Sequence, residues 1–415
     1  MAAETLKLPI EIGGVSLKVK MQRADRRART RALTLIAPLF FLLLLVFVLP
    51  IGYMLFYGVY SPELRNGLPD FAAALDQDSN EVPGEPVFRA LAQDLAEARE
   101  RREHKKAITP IRQQDIELWR VFRRTVENLP KDEVASMKAW FISFDSAWGE
   151  PDSWKVIRRI AAPYTAYYLI NAVDARLSPD GSLELKRAEE RVYLKIIGTT
   201  FEISFWVTVI ALILGYPVAY LLANVSQRHS NLLMILVLLP FWTSLLVRTY
   251  AWMMLLQTEG VVNNVMTGFG IFTEPVQMMH NRIGVYVAMV HILLPFMLLP
   301  IYSVMKNLGP FPMKAAANLG ANPFRAFVHV YLPQTLPGVG AGCLLVFILS
   351  LGYYITPALV GGPKDTMISL MVAINVNTFL NWGMAGALGT ILLIATIAVF
   401  LVYNRFLGLE KVRLS

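Results

Sequence analysis

The stretch Lys314-Ala-Ala-Ala-Asn-Leu-Gly320-Ala-Asn-Pro-Phe-Arg325-Ala-Phe-Val-His-Val-Tyr-Leu-Pro333-Gln-Thr-Leu-Pro-Gly-Val339 lies between two long uncharged runs, so it joins membrane spans. It does not read as a plain loop. Pro310 and Pro312 stand just before a helix-forming run, where a missing N–H costs nothing. Gly320 supplies the left-handed residue that ends a short helix. Asn322-Pro323 reads as the N-cap and first residue of a second short helix, expected to stop before Pro333. Small residues at Ala315, Ala316 and Ala317 let another surface approach closely. Two readings follow: a helix hairpin that only joins spans, or a docking element for a partner. Geometry alone favours the connector.

Ala315-Ala316-x-x-x-Gly320-Ala321, followed by Phe327 and Leu332-Pro333, resembles the cytoplasmic "EAA" loop of permease subunits of binding-protein-dependent ABC importers. In that family the loop is a coupling helix seated in a cleft of an ATPase subunit. The resemblance implies that Lys314, Ala315, Ala316, Gly320, Ala321, Phe324 and Arg325 contact the ATPase. The family usually carries Glu where this chain has Lys314. That departure removes any ion pair the Glu would make and leaves the turn at Gly320 intact.

Composition points the same way. The 415 residues are 55% hydrophobic and only 17% charged, with a mean hydropathy of +0.46. Such a chain is a multi-spanning membrane protein rather than an ordinary soluble one. A net charge of +8 raises nucleic acid as a partner, but the distribution excludes that reading. Residues 63–195 carry 21 Lys/Arg against 23 Asp/Glu, and the excess lies in the N-terminal tail and the short loops. This is the positive-inside signature. The single Cys343 forms no intrachain disulfide and does not report the redox compartment.

Residues 1–32 are read as a basic cytoplasmic tail, with eight Lys/Arg up to Arg31. Residues 33–60 are the first span, uncleaved, because the apolar run is too long for a signal-peptide core. Residues 61–194 are charged but carry amphipathic helical spacing. Leu91 and Leu95 share one face, and Leu118, Phe122 and Val126 share another. Pro130 separates these from a helix with Met137 and Phe141, and Tyr164, Tyr167 and Tyr168 form an aromatic patch. The segment is expected to be a helical extracytoplasmic insertion, serving as a lid or as a contact surface for a solute-binding protein.

Residues 195–408 are expected to hold five more spans: from Glu202 to Arg228, Leu232–Leu256, Ile283–Met305, Val339–Val360 and Met384–Tyr403. A short outer helix is expected at Met367–Phe379, and 306–337 form the cytoplasmic loop. Residues 409–415 are a cytoplasmic C-terminus. The fold class is thus an all-α membrane protein of six transmembrane helices, with both termini cytoplasmic. No internal repeat is apparent.

No catalytic constellation stands out, and there is no Gly-x-x-x-x-Gly-Lys-Ser/Thr loop, so the chain has no P-loop of its own. ATP and Mg are expected on a partner, with no cofactor in this chain. A lone His291 inside a span is more often a helix–helix hydrogen-bonder than a proton relay. Arg248 is either a residue snorkelling to the interface beside Trp252 or a residue lining the path. Glu202 is the one intramembrane acid, near the outer end of its span.

The run Phe241-Trp242-Thr243-Ser244-Leu245-Leu246-Val247-Arg248-Thr249-Tyr250-Ala251-Trp252 is similar to the signature of the first permease subunit of spermidine/putrescine importers. So are Leu294-Pro295-Phe296-Met297, Ile355-Thr356-Pro357-Ala358-Leu359-Val360-Gly361-Gly362-Pro363 and Leu380-Asn381-Trp382-Gly383. The resemblance covers about residues 195–408 and implies the type I importer permease fold. Candidate path residues are Trp242, Thr243, Ser244, Arg248, Tyr250, Tyr354, Asn377 and Asn381. Expected partners are a cytoplasmic ATPase dimer, a second permease subunit, a periplasmic solute-binding protein and the lipid bilayer, with no nucleic acid. The expected location is the bacterial inner membrane. The expected cargo is a polyamine; opines and aminophosphonates belong to the same sequence group, and the shortage of acids weakens the polyamine reading. The other classes weighed are a stand-alone secondary transporter, against which the lack of an ion-site cluster and inverted repeats stands, and a sensory receptor, which would need a larger cytoplasmic output segment.

Overall fold

The computed structural model describes residues 11–12, 15–130, 132, 134–178 and 182–407. The C-terminal segment 409–415 and residues 1–10 and 13–14 of the N-terminal tail lie outside them. The described residues are almost entirely helical. Strands are confined to two small antiparallel pairs, β1 (Glu11–Ile12) with β2 (Val15–Ser16), and β3 (Ala175–Leu177) with β4 (Leu183–Leu185).

The first helix, α1, is a unit of its own. It runs through Leu17–Leu43, a π-helical turn at Leu44–Val48, and Leu49–Phe56. The expected tail and first span are therefore one continuous rod from Leu17. Its segment Asp25–Phe56 is long and apolar enough to cross a bilayer.

The insertion folds into helices α2 (Pro69–Gln77), α3 (Glu85–Glu100), α4 (Ile116–Glu127), α5 (Met137–Phe144), α6 (Pro151–Ala161) and α7 (Tyr167–Ala172). Leu91, Leu95, Leu118, Phe122 and Val126 are buried, as their spacing requires. They surround an aromatic box of Phe71, Phe88, Phe122, Phe141, Trp148 and Trp154. Trp148 meets four of these rings at centroid distances of 4.8–6.4 Å. Edge-on contacts of this kind add to plain area burial. Trp148 Nε1 donates to Thr125 Oγ1 (3.1 Å), and Trp154 Nε1 donates to Trp148 O (2.8 Å), so neither indole leaves its N–H unsatisfied.

One acid ties the start of α3 to the start of α5. The Glu85 carboxylate accepts from Met137 N (2.7 Å), Lys138 N (3.0 Å) and Ser136 Oγ (2.8 Å). Burial pushes its pKa up, but the hydrogen bonds from Lys138, Ser136, Met137 and Arg89 outweigh burial and pull it down to about 2. A depressed carboxylate contributes stability that is present above its unfolded value of 4.5 and is lost as pH falls toward about 2. The group is 31% exposed, so solvent screens part of the effect. Glu85→Gln is expected to cost about 1 kcal/mol at neutral pH. It should also flatten the acid limb of the insertion's unfolding curve between pH 5 and pH 2. An unchanged acid limb would show that this tie contributes nothing.

The membrane core contains α8 (Tyr193–Asn224), α9 (Gln227–Trp242), α10 (Leu245–Leu255), α11 (Val261–Gly268), α12 (Arg282–Leu308), α13 (Phe311–Asn318), α14 (Pro323–Gly352), α15 (Ile355–Val360), α16 (Ile368–Asn377) and α17 (Trp382–Leu407). Among the described residues five helices are long and apolar enough to span a membrane, and six if α9 and α10 count as one broken span. Helices α8, α12 and α14 pack on one another around Val207, Met289, Met297, Ile301 and Val346. Gly342 is what allows α14 to approach α12. A Cβ there would stand 2.8 Å from Met297 O. Small residues at such crossings are how helices pack where lipid gives no hydrophobic drive.

The insertion is built into this core. Asp174, fully buried, accepts from Leu194 N (2.7 Å) and so caps the start of α8. Tyr168 packs with Ile368, Met384 and Leu388. Its ring lies so close to Gly383 that a Cβ would fall 2.3 Å from it.

Candidate translocation path and coupling hairpin

The expected span Leu232–Leu256 carries a sharp elbow. Helices α9 and α10 meet at 98°. Pro240 has no N–H to give, and Thr243 and Ser244 take extended backbone angles. Thr243 Oγ1 donates to Pro240 O (2.8 Å), a side chain standing in for a lost helical bond. Trp242, Thr243 and Ser244 are all exposed at the elbow. Non-helical backbone at membrane depth is tolerated only beside protein or a water-filled cavity.

A second break faces the first. The expected span Val339–Val360 is interrupted at Tyr353-Tyr354, where α14 ends and α15 begins. Thr249 on α10 and Thr356 on α15 share a hydrogen bond of 3.2 Å between their hydroxyls. One turn along α10, Trp252 Nε1 donates to His291 Nδ1 on α12 (3.0 Å). His291 is thus a helix–helix hydrogen-bonder, and that bond fixes its other nitrogen as the protonated one. Arg248 lies within electrostatic reach of His291 and Tyr353. Its Nε is buried with no hydrogen-bond partner among the described residues.

The structure therefore gathers Arg248 with Trp252, His291, Tyr353 and the Thr249–Thr356 pair where three helices meet. Tyr354 sits at the second break, 41% exposed. Tyr250 does not join them. Two residues on from Arg248 it lies roughly 200° round the helix, on the exposed side. Asn377 ends α16, and Asn381 lies in the turn before α17. Asn381 Oδ1 accepts from Met384 N (3.0 Å) and caps that helix. Thr249 and Thr356 are not among the sequence candidates, because apolar runs hide which residues face a partner.

Glu202 is bound, not free. Arg282 donates through Nη1 to Glu202 Oε1 (2.6 Å), through Nε to Asp365 Oδ1 (2.9 Å) and through Nη2 to Lys364 O (3.3 Å). Asp365 Oδ2 accepts in turn from Gly362 N (2.9 Å). The clamp joins α8, α12 and the turn after α15. Gly362 fits because a Cβ there would lie 2.4 Å from His280 O.

The opening stretch forms a helix hairpin. Gly320 has φ +85, and Gly320 N and Ala321 N donate back to Ala317 O and Ala316 O, closing α13. Asn322 Oδ1 accepts from Arg325 N (2.8 Å) and caps α14. The second helix does not stop before Pro333. It passes through a π-helical turn at Phe327–Tyr331 and continues to Gly352. The wider turn relieves the clash of the Pro333 ring with the carbonyl four residues earlier. The same device precedes Pro50 in α1. The expected loop 306–337 thus already contains the start of the next span.

The base of the hairpin is bolted to α8. Phe327 meets Tyr220 at 5.7 Å and Tyr216 at 6.3 Å, Tyr331 meets Tyr220 at 5.5 Å, and Tyr216 shares a hydrogen bond with Thr335 (3.0 Å). Ala316 is buried against the chain itself, so its small side chain serves internal packing. Ala315 and Ala321 are half-buried, while Lys314 and Arg325 are exposed. Phe311, Leu319 and Phe324 are exposed by 78%, 89% and 75%, an apolar surface on a basic ground.

Residues 208–409 match the family described as the binding-protein-dependent transport system inner membrane component. The chain is 35% identical over 227 residues to the spermidine/putrescine transport system permease protein PotB of Haemophilus influenzae, covering 54% of this chain and 79% of that protein. It is 32% identical to PotB of Escherichia coli K12, covering 53% of this chain and 80% of that one. The inner membrane ABC transporter permease protein YdcU of Escherichia coli K12 is 34% identical, with 51% of this chain and 71% of YdcU covered. A crystal structure of a bacterial ABC transporter involved in the import of the acidic polysaccharide alginate aligns over 52% of this chain and 78% of its own, at 18% identity and a TM-score of 0.42.

Proposed function

The chain belongs to the family of inner membrane components of binding-protein-dependent transport systems, and from that premise we propose that it forms half of the path of an importer for a polyamine such as spermidine or putrescine. The names of its PotB relatives support the cargo. A second permease subunit completes the path, and a periplasmic solute-binding protein delivers the cargo to the outer face. Both termini and residues 306–337 face the cytoplasm, and the insertion 61–194 faces outward, in keeping with the basic loops.

The observation that carries the coupling role is the hairpin: exposed Phe311, Leu319 and Phe324 on a base clamped to α8. A cytoplasmic ATPase dimer, which binds ATP and Mg, docks there. Lys314 and Arg325 meet an acidic rim on the ATPase groove. ATP binding closes the dimer and shifts the spans between inward- and outward-open states. Burying a Leu or Phe is worth about 1.5–3 kcal/mol, so Leu319→Asp and Phe324→Asp are each expected to weaken ATPase binding roughly 10- to 100-fold. The check is uptake in cells together with ATPase co-purification. Normal uptake and co-purification in both variants would sink the docking role.

One observation favours a second cargo class, an amino compound with an anionic group such as an opine or aminophosphonate. Arg248 lacks a partner at Nε, while Glu202 is held by Arg282. Calorimetry of the cognate solute-binding protein with spermidine, an opine and an aminophosphonate decides between them.

A further inference from the structure

A cleft of about 820 Å³ separates the insertion from the turn that precedes α17. It is lined by His104, Lys105, Lys106 and Arg112 and by Phe379, Leu380 and Trp382. Two carboxylates also line it: Glu127 is paired with Arg123 (3.1 Å), and Glu63 accepts from Ser61 Oγ (2.8 Å), so cations outnumber acids in the cleft. Many cations of the insertion are paired with acids, among them Arg89, Arg101, Arg120, Arg123, Arg124 and Lys155. Lys105, Lys106 and Arg112 have no side-chain hydrogen bond or ion pair among the described residues. His104 Nδ1 is buried without a hydrogen-bond partner.

The apolar part of the lining is held in place at some cost. Leu380 has φ +51, a left-handed conformation that disfavours a branched side chain by about 1–2 kcal/mol. It is fixed there by Phe379 N donating to Ile374 O (3.1 Å) and Asn381 N donating to Asn375 O (2.8 Å). Gly383 is pressed against the Tyr168 ring just behind. Phe379, Leu380 and Trp382 are left 55%, 66% and 44% exposed. Backbone strain that persists next to a cavity is a mark of a binding site.

The chemistry of the lining selects the ligand. Unpaired Lys and Arg call for an anion and repel a polycation. The apolar shelf calls for hydrocarbon beside that anion. Trp382 opens a membrane helix, the level at which Trp meets headgroups. The volume is that of a small-molecule site. We infer that the cleft binds the headgroup of an anionic phospholipid. Its phosphate sits among Lys105, Lys106 and Arg112, with its acyl chains along Phe379, Leu380 and Trp382. The lipid bridges the insertion to the start of the last span, whatever solute crosses the core.

The test uses the full chain with its transport partners in phosphatidylcholine nanodiscs, titrated with phosphatidylglycerol and read by native mass spectrometry. Each basic residue near an anionic lipid is worth about a fivefold change in affinity. The triple variant Lys105→Gln/Lys106→Gln/Arg112→Gln is expected to weaken phosphatidylglycerol binding on the order of 100-fold, with Arg120→Gln as the unaffected control. If the triple variant melts lower, Lys106→Gln alone is read for its roughly fivefold loss. Phosphatidylcholine should show no variant-dependent retention, and millimolar inorganic phosphate should not displace the lipid. Equal phosphatidylglycerol retention by wild type and variants would overturn the site. Full displacement by inorganic phosphate would assign the cleft to a soluble anion instead. Loss of solute-binding-protein affinity with lipid retention unchanged would make it a protein contact and overturn the inference.

Discussion

Arg282→Ala is expected to destabilise the membrane core by about 3–5 kcal/mol, because it strands a buried carboxylate. Asp365 is only 4% exposed and has Arg282 as its charge partner at 2.9 Å. Glu202, about half exposed, loses less. The stranded charge and the lost pairing can be told apart. Asp365→Asn keeps a carboxamide oxygen for Gly362 N while removing the charge, so Arg282→Ala/Asp365→Asn should be markedly more stable than Arg282→Ala alone. Thermal unfolding of the purified chain in detergent measures this. A double variant no better than Arg282→Ala would mean that the clamp acts through its hydrogen bonds to the backbone and not through charge.

Trp148→Ala should be comparably severe and should act on the insertion alone. It removes the ring shared by Phe88, Phe122, Phe141 and Trp154 and leaves Thr125 Oγ1 without its donor. Large-to-small changes of this kind cost about 3–5 kcal/mol. The insertion's unfolding midpoint should fall on the order of 10 °C, and its loops should become protease-sensitive while the membrane helices stay protected. Trp148→Phe keeps most of the contact and should lose well under half as much. An insertion with Trp148→Ala that resists protease like the wild type would show that the aromatic box is not what holds it together.

Features fixed by short-range chemistry were legible in the sequence. Gly320 is left-handed and Asn322 is an N-cap because each depends on its own backbone and the next turn. The buried faces of α3 and α4 followed from 3.6-residue spacing. What failed depended on tertiary choices. An apolar run with a Pro240 does not say that the chain breaks at Thr243-Ser244, since proline also sits inside continuous helices, as Pro217 and Pro300 do. Pro333 misled in the opposite sense, because a π-helical turn is invisible in composition. The family resemblance implies a partner contact at Ala316. Only the packing of the hairpin against its own core shows that it points inward. Of the path candidates, Arg248 lies in the polar cluster and Tyr354 at the break beside it, whereas Asn377 ends α16 and Asn381 lies in the turn before α17. Both settings suit a small polar residue equally well from sequence.

Under the proposed coupling role, the unbroken course of α14 through Pro333 lets it act as a lever. Its 30 residues span about 45 Å. One end carries the hairpin, gripped by Tyr216 and Tyr220, and the other ends at Tyr353 beside Arg248. A helix interrupted at Pro333 would dissipate a push at its base in a loose joint. As a rigid arm pivoting at its midpoint, a 10° tilt moves Tyr353 by about 4 Å. That travel is comparable to the width of a water molecule, enough to make or break a hydrogen-bonded seam such as that between Thr249 and Thr356.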